Sequence, residues 1–569
     1  MARFDRAKNT IKGAKVIRNL TSNLQVFSDS VGRADPDDLY KLRLAGRSTL
    51  NLSTNGIGNR SRVAFQLFSL KGSPKQLRAI SRTPFSNLTR QQIKKHINIW
   101  NARSSGRSRT LSLLLDGGTY YVRVYRSQGD NRYRLNASVS SGAIPAPTPA
   151  PTPSPTPTPT APFPSPTWIR QFGTGSNDYA FGTAVDGSGD IYVAGVSTAS
   201  DAFSGSGFVT KYRKDGTLEW QRALSLSGTT AVADIAVDTT GNYYIVGATI
   251  NGFNSDGFVV KYNSAGQEQW IREIKSTLLG FGAVDAASSI FLDGNDIYVT
   301  GIRQAAPAPF SQGNAFIAKY DSNGNLVSGF GRNGIAEFRQ TKTTAASGIT
   351  VANSTIYITG ITDATLSLAS NNDVDLTGGD AFVAGFDRVS GNLLWNQTLS
   401  SGAETDYARA IAVNGSEIYI VGQTGGTLPS GSLTANTYGG GEADGFIAKY
   451  ILTNGGSSLQ WVKQVGGTGL DSAQAVTIDS TGRIYWTGET DTGLFSNAVG
   501  GSDAWLAQIN SDGSLTRTAQ LGTPQDDEAY AIVTDRSGTL YVSGQTQGTF
   551  PTSGSQNQGN YDVWLAKYI

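Results

Sequence analysis

Residues 241–274 read GNYYIVGATINGFNSDGFVVKYNSAGQEQWIREI. An apolar segment here ends in Tyr-x-x-Gly at Tyr244, and the next segment, GFVVKY, alternates apolar with other side chains. Alternation with a period of two is typical of half-buried β-strands. The string NSAG then gives a tight turn, and a further segment carries Trp270. With the apolar segment that precedes the turn DTTGN, the stretch predicts a unit of four short strands.

The same unit recurs along the C-terminal two thirds of the chain. Its Tyr-x-x-Gly signature falls at Tyr192, Tyr244, Tyr298, Tyr357, Tyr419, Tyr485 and Tyr541. The spacings are 52, 54, 59, 62, 66 and 56 residues. A strand-like segment with Trp appears in five places, at Trp168, Trp220, Trp270, Trp395 and Trp461. Because four-stranded units repeated radially protect their edges, residues 168–569 are predicted to form a seven-bladed β-propeller.

The ends of the repeat array predict how the ring closes. The chain stops at VWLAKYI, one strand short of a complete unit, whereas the array begins with WIRQF, a Trp strand with no unit of its own in front. We therefore expect residues 168–172 to pair with the last unit and complete it.

The repeats resemble the bacterial SBBP β-propeller repeats. The pattern D-x-G-x-x-Y-x-x-G followed by G-G-x-D-A-F-V-x-K-Y is matched in GSGDIYVAG and GGGEADGFIAKY. The resemblance covers essentially all of residues 168–569. It implies the propeller fold and little about activity, since propellers host both binding and catalysis.

Charge divides the chain into two bodies. Residues 1–143 hold 26 Lys and Arg against 7 Asp, a net charge of +19, whereas residues 168–569 have a net charge of −16. Between them, residues 144–167 carry proline at nearly every second position. Proline fixes φ and removes a donor, so this Pro/Thr-rich linker is expected to form neither a helix nor part of a sheet.

Residues 20–143 are predicted to form a basic β-sandwich after a basic segment, 1–19. Alternating strands appear in DLYKLRLAG and TYYVRVYRS, for example. Residues 35–53 and 115–139 resemble the bacterial pre-peptidase C-terminal (PPC) domain, a jelly-roll-like module of secreted proteins that tends to bind surfaces, polymers or calcium. Residues 71–110 interrupt the resemblance as a basic insertion, which we expect to be partly helical around residues 89–100.

Composition narrows the function classes. The chain has no cysteine and one histidine, His96, which excludes disulfides, most zinc sites and most nucleophile–base pairs. The sequence contains no run of about 18 apolar residues, the length needed to span a membrane. The N-terminus also lacks the apolar stretch of a signal peptide. The Cys-free composition and the linker suit an extracellular or cell-surface bacterial protein, although the missing signal segment counts against ordinary export.

One acidic position recurs in the propeller repeats. Aligning the units on their Tyr places five aspartates at one equivalent position, with Thr230 and Thr344 in the other two units: Asp178, Asp285, Asp406, Asp471 and Asp527. This ring is predicted at the channel mouth, where it could bind a polyhydroxylated ligand or a divalent cation such as calcium. The structural alternative is that each Asp binds backbone donors at the start of its unit. No other cofactor is expected.

The basic domain predicts a second binding surface. Its densest patch consists of Lys94, Lys95, Arg103, Arg107 and Arg109. An anionic polysaccharide or lipid surface would suit such a patch. Nucleic acid ranks last as a partner because Trp100 is the only nearby ring. Docking on an acidic propeller, of its own or a neighbouring chain, is the alternative.

These observations favour a non-enzymatic surface or secreted binding and adhesion protein. The basic module would anchor to an anionic surface, and the propeller would bind a protein or glycan. A carboxylate- or calcium-dependent enzyme acting on polysaccharide at the propeller mouth is one alternative, because Asp and Glu remain available as acids and bases. A charge-driven, homo-oligomeric assembly is another.

Overall fold

The elements that the computed structural model describes are all β-strands. The described residues are 15–16, 25–31, 37–44, 48–57, 62–70, 97–101, 103–105, 108–115, 118–128, 131–140 and 161–569, without 200–204, 227, 252–253, 276–283, 305–312, 341, 369–373, 403, 434–435, 454–455 and 497. Two compact units divide the chain, Met1–Ser154 and Pro155–Ile569.

The described residues of the first unit form ten strands. These are β1 Lys15–Val16, β2 Gln25–Val31, β3 Asp37–Leu44, β4 Ser48–Ile57, β5 Arg62–Leu70, β6 Ile97–Asn101, β7 Arg103–Ser105, β8 Ser108–Leu115, β9 Gly118–Gln128 and β10 Asn131–Ser140. They form two five-stranded sheets, ordered β1-β3-β9-β5-β6 and β2-β10-β4-β8-β7. Apolar side chains from both sheets are buried, among them Leu39, Leu52, Val122 and Leu135. The predicted β-sandwich is thereby confirmed.

One prediction about this unit is wrong. Residues 97–101, expected to be part of a helical stretch, form strand β6, which pairs with β5 from Leu70↔Ile97 to Gln66↔Asn101. The sequence there, INIWN, alternates isoleucine with polar residues over its first three positions, and a sheet edge accepts that period. Residues 89–96 lie outside the described residues.

The second unit consists of seven sheets, each of at least four strands. From the innermost strand outward, the first four sheets are β13 Asn177–Val185, β14 Ile191–Thr198, β15 Ser206–Tyr212, β16 Leu218–Ala223; β17 Thr229–Val237, β18 Tyr243–Asn251, β19 Asn254–Tyr262, β20 Glu268–Ile274; β21 Ala286–Asp293, β22 Asp296–Gln304, β23 Gly313–Tyr320, β24 Ile335–Phe338; and β25 Thr343–Ala352, β26 Thr355–Leu368, β28 Asp380–Asp387, β29 Leu393–Leu399, with β27 Val374–Thr377 paired to β26. The last three are β30 Asp406–Asn414, β31 Glu417–Thr424, β32 Asp444–Thr453, β33 Gly456–Val465; β34 Asp471–Ile478, β35 Ile484–Thr490, β36 Asp503–Ile509, β37 Leu515–Leu521; and β38 Asp527–Thr534, β39 Leu540–Thr546, β40 Asp562–Tyr568, β12 Trp168–Phe172.

The seven sheets form a closed ring. Each innermost strand contacts the innermost strand of the next sheet, and β38 of the seventh sheet contacts β13 of the first. Strand β12 is the outermost strand of the seventh sheet and pairs antiparallel with β40, from Trp168↔Lys567 to Phe172↔Val563. The unit is therefore a seven-bladed β-propeller whose seventh sheet joins strands from both ends of the repeat array.

The glycine of each Tyr-x-x-Gly signature is explained by close backbone approach. A Cβ atom on Gly301 would lie 2.0 Å from the carbonyl oxygen of Ala286, and the equivalent distances in the other six sheets are 1.8–2.0 Å. In each innermost strand the register slips by one residue beside this glycine, as between Ala287 and Ser289. The glycine therefore makes room for a β-bulge in the innermost strand.

The five tryptophans of the repeated Trp segments lie in outermost strands, and two of them show how neighbouring sheets are held together. Trp270 of β20 packs on Gly324, which has φ +76° in the turn of the third sheet, and donates its Nε1–H to the Ser322 carbonyl at 3.3 Å. Beside it, the Arg272 guanidinium donates to the Gly324 carbonyl at 2.7 Å. Trp461 donates to Ser511 of the sixth sheet in the same way.

The end of the Pro-rich segment is part of the propeller, contrary to the prediction that residues 144–167 pair with no sheet. Strand β11, Ala161–Pro162, pairs parallel with β37. The Phe163 N–H then donates to the Thr518 carbonyl at 3.0 Å, and its ring is buried. A proline can sit at a sheet edge when the pairing uses its carbonyl and the N–H groups of its neighbours. Residues 144–160 lie outside the described residues.

Candidate functional site

The five aspartates of the predicted ring occupy equivalent places in the propeller. Each lies at the start of an innermost strand or just before it, and Thr230 and Thr344 hold the same place in the second and fourth sheets. All seven side chains are buried. The alignment made from sequence is therefore correct, although burial means that the carboxylates do not open directly into solvent.

The contacts of these aspartates fix the loops that enter each sheet. Asp406 accepts hydrogen bonds from the Ser401 N–H at 2.6 Å and the Ser401 hydroxyl at 3.0 Å. Asp527 accepts from the N–H and, at 2.8 Å, from the hydroxyl of Thr523. Burial raises the pKa of Asp406, and it raises that of Asp527 to about 6. Among the described residues no group of three or more Asp, Glu or His side chains could hold a metal ion, and binding of a ligand by the ring stays a prediction.

A second set of aspartates, which sequence reasoning missed, begins the third strand of several sheets. Asp444, Asp503 and Asp562 are fully buried there. Each accepts from a glutamine of an outermost strand: Gln464 to Asp444 at 2.9 Å, Gln520 to Asp503 at 2.7 Å and Gln171 to Asp562 at 3.1 Å. The sequence signal was an Asp two residues before each Phe or Trp of the third strand.

The two sets meet where one sheet follows another. Asp503 of the sixth sheet raises the pKa of Asp527 in the seventh, and Asp471 of the sixth does the same for Asp444 in the fifth. A Cβ atom on Gly522, in the loop between them, would lie 2.0 Å from the Asp503 carboxylate. Gly522 therefore lets this loop pass beside the Asp503 carboxylate while the next residue, Thr523, donates its N–H to Asp527.

The β-bulges give the channel its lining. The residue that the register skips in each innermost strand is half-buried, and we call this set the bulge ring: Phe181, Ala233, Ser288, Ser347, Arg409, Gln474 and Tyr530. Its members are small in the second to fourth sheets and large in the others. One wall of the channel is therefore bare, and the facing wall carries polar groups.

Polar side chains gather around the large members of the bulge ring, and we call this set the channel cluster: Arg409, Gln474, Glu489, Glu528, Tyr530 and Gln545. Gln474 Nε2 donates to Glu489 at 3.1 Å, and Gln545 Nε2 donates to Glu528 at 2.8 Å. The Tyr530 hydroxyl also donates to Glu528. Glu489 and Glu528 come from the sixth and seventh sheets and lie within hydrogen-bonding reach of each other.

Electrostatics keep this cluster close to neutral. Burial and the neighbouring Glu489 carboxylate raise the pKa of Glu528 to about 8, so Glu528 carries a proton at neutral pH. Arg409, close enough to lower the pKa of Tyr530, balances the formal charge of Glu489. Nothing in the sequence indicates this pair, because Glu489 and Glu528 stand 39 residues apart in different repeats.

Exposed acidic side chains lie at the end of the propeller that holds the channel cluster, and we call this end the channel entrance. Glu404, Glu442 and Asp491 are exposed on its loops and form an acidic rim. Tyr438 is near both glutamates, whose charges together with burial raise its pKa. Long loops of the fifth, sixth and seventh sheets also reach this end, between residues 424 and 444, 490 and 503, and 546 and 562. Loops of this kind are where binding residues concentrate.

The predicted basic patch is only partly visible. Lys94, Lys95 and Arg107 lie outside the described residues, as does His96. Arg103 and Arg109 lie on the neighbouring strands β7 and β8, where Arg103 pairs with Thr110 and Ser104 with Arg109. Their side chains are outside the described part, so the patch stays a prediction.

The fold and these sites define a seven-bladed β-propeller with a polar channel cluster and an acidic rim. Residues 167–201, 460–496 and 517–551 match the family model described as a beta-propeller repeat, SBBP. These three segments of the propeller therefore match SBBP repeats, as the sequence resemblance implied. The regulatory protein FlaEY of Caulobacter vibrioides is 24% identical over 138 residues, which make up 22% of this chain and 14% of that protein.

Two solved structures match parts of the chain. The pre-peptidase C-terminal domain of a Bacillus anthracis collagenase is 17% identical over 22% of this chain and 94% of its own, with a TM-score of 0.16. The N-terminal strands resemble that domain. Sqt1 of Chaetomium thermophilum is 11% identical over 71% of this chain and 98% of its own, with a TM-score of 0.40. In the part of the chain that the structure describes, no helix is long and apolar enough to cross a membrane.

Proposed function

We propose that the chain is a non-enzymatic bacterial binding protein, at the cell surface or secreted, whose propeller binds a protein or glycan at the channel entrance. The observation that carries this proposal is the convergence of the acidic rim, three long loops and the channel cluster at one end of the propeller. The basic module, with its net charge of +19, would hold the protein on an anionic surface.

The geometry of the carboxylates favours binding over glycoside hydrolysis. Retaining glycosidases place their two carboxyl groups about 5 Å apart, and inverting enzymes place them farther apart still. Glu489 and Glu528 lie within hydrogen-bonding reach instead, and Glu528 donates or accepts within a network that also holds Tyr530 and Gln545. Such a pair has no room for a reacting sugar carbon or an attacking water between its members.

The test separates binding from turnover. The full chain is applied to an array of bacterial and plant glycans, and the glycans that bind are then incubated with it and assayed for released reducing ends. We expect binding without release. Release of reducing ends that is lost in Glu528→Gln would overturn the proposal in favour of the carboxylate-dependent enzyme.

Attachment through the basic module is tested on vesicles. The full chain should sediment with phosphatidylglycerol vesicles at low salt and dissociate in high salt, because screening weakens contacts between exposed charges. Vesicles of phosphatidylcholine are the control and should not retain it. Equal retention on both kinds of vesicle would contradict an electrostatic anchor.

Charge-driven self-assembly is a second candidate, favoured by the opposite net charges of the two bodies, +19 and −16. Light scattering of the full chain should then show a large species at low salt that dissolves at high salt. The triple variant Glu404→Gln, Glu442→Gln, Asp491→Asn should reduce its size. The matched control, Asp215→Asn, Glu219→Gln, Glu268→Gln, alters exposed acids at the opposite end of the propeller and should leave it unchanged. A monomer at every salt concentration would exclude this candidate.

A further inference from the structure

We propose that the channel cluster binds one neutral sugar residue, the end of a glycan chain that enters through the channel entrance. This inference rests on the proposed function and deepens it, because it chooses the glycan among the partners and names the place where it binds. It is argued from the shape of the channel, from hydrogen-bonding groups that lack partners, and from charge.

The bulge ring leaves space beside the cluster. Ala233, Ser288 and Ser347 present short side chains on one wall of the channel, and Arg409 and Gln474 project from the facing wall. All of these positions are half-buried. A concave site with a few convergent polar groups is typical of small-ligand binding.

Two buried polar atoms of the cluster lack hydrogen-bond partners among the described residues. One is a donor, Nε of Arg409, and the other is an acceptor, Oε1 of Gln545. Gln545 is only 2% exposed, and its Nε2 is already bound to Glu528. Leaving a buried polar group without a partner costs free energy, so such atoms indicate a missing ligand or water.

A donor and an acceptor that both need partners favour hydroxyl groups. A hydroxyl donates one hydrogen bond and accepts others, so the hydroxyls of a sugar residue offer partners for both kinds of atom, an acceptor such as Gln545 Oε1 and a donor such as Arg409 Nε. An ammonium group only donates, and a carboxylate or phosphate only accepts, so each would leave one of the two atoms unsatisfied.

The charge of the cluster also favours a neutral ligand such as a sugar. Arg409 offsets Glu489, and Glu528 is protonated at neutral pH, so neither a cationic nor an anionic ligand gains a net opposite charge there. An aromatic wall completes the site, since the Phe181 and Tyr530 rings meet edge to face with centroids 5.8 Å apart. Such rings offer the apolar surface that the C–H face of a sugar requires.

Calorimetry tests the inference. The full chain is titrated with short neutral oligosaccharides chosen from the array and with their uronic acid and amino sugar counterparts. We expect binding of a neutral sugar, weakened about tenfold or more by Arg409→Met and by Gln545→Met, since each removes one of the two atoms that lack a partner. Glu268→Gln, an exposed position at the opposite end of the propeller, is the control and should bind as the wild type does.

The possible results separate this inference from the function on which it rests. Neutral sugar binding that Arg409→Met and Gln545→Met leave unchanged would overturn the site while the glycan-binding function stands. Tighter binding of the charged counterparts, lost in the same two variants, would overturn the ligand class. If no glycan binds either in calorimetry or on the array, both the inference and the glycan arm of the proposed function fail. Circular dichroism and thermal melting of each variant show that the fold is retained.

Discussion

Replacing Gly301 with alanine tests whether the Tyr-x-x-Gly glycine exists for close backbone approach. The added Cβ would lie 2.0 Å from the Ala286 carbonyl oxygen and 3.0 Å from the Cα atom of Ala287. Relief requires a shift on the order of 1 Å in the innermost strand, because both neighbours are backbone atoms. Overpacking of this kind costs about 1–3 kcal/mol, and a lost ladder hydrogen bond adds about 1 kcal/mol. We therefore expect Gly301→Ala to lower the free energy of unfolding by about 3 kcal/mol.

Two other glycines make the controls. Gly175 has open space around its Cβ position and no positive φ, so Gly175→Ala should be neutral or stabilising by about 0.5 kcal/mol. Gly294 also has open space but φ +62°, so Gly294→Ala isolates backbone strain, at about 1 kcal/mol. Urea titrations followed by tryptophan fluorescence measure all three. If Gly301→Ala matches Gly175→Ala within about 0.5 kcal/mol, the explanation from close approach is wrong.

Three further predictions concern the buried carboxylates and the joints between sheets. Burial raises the pKa values of Asp444 and Asp527 to about 6, so the folded propeller keeps protons that the unfolded chain releases above about pH 4. The stability that these protonated groups contribute is present below about pH 4 and is lost as the pH rises through 6. The urea midpoint should therefore fall between about pH 4 and pH 6.5, and the double variant Asp444→Asn, Asp527→Asn should reduce this fall. A wild-type midpoint that does not change over this range would contradict the raised pKa values. Trp270→Ala removes the packing on the turn of the third sheet and should destabilise by about 2 kcal/mol, less than a fully buried tryptophan, in the same titration. Gln171→Ala leaves the buried carboxylate of Asp562 without one donor, so it should lower the free energy of unfolding by about 2–3 kcal/mol and speed limited proteolysis. An unchanged digestion rate would show that the pairing of β12 with β40 does not depend on this side chain.

The fold could be predicted because the same sequence features, each with a physical cause, recur in all seven repeats. A tight turn, a glycine at the bulge and an alternating third strand recur at Tyr192, Tyr244 and their equivalents, so errors in one unit are corrected by the others. The alignment on those tyrosines also placed Asp178 and its counterparts correctly. The same regularity explains why strand β12 was recognised as the missing fourth strand of the last sheet.

The channel cluster could not be predicted, because it depends on departures from the repeat. Arg409, Gln474 and Tyr530 matter through the β-bulge that turns them to the channel, and a bulge shifts the alternation on which sequence interpretation relies. Glu489 and Glu528 come together only when two sheets pack. The high proline content of residues 144–167 predicts no pairing with a sheet, so it does not reveal that residues 161–163 join β37. The Phe163 N–H is enough to join the edge of the sixth sheet.

The placement of β11 and β12 has a mechanical consequence. The chain that leaves the proline-rich segment first lies along the edge of the sixth sheet and then supplies the outer strand of the seventh. Tension on the chain from that side is therefore borne by an edge strand of two residues, by the buried Phe163 ring and by the five residue pairs between β12 and β40. Only then does the tension reach a strand inside a repeat. Under load, β11 should therefore separate from β37 first. The seam between β12 and β40 would yield next, while the other six sheets stay intact.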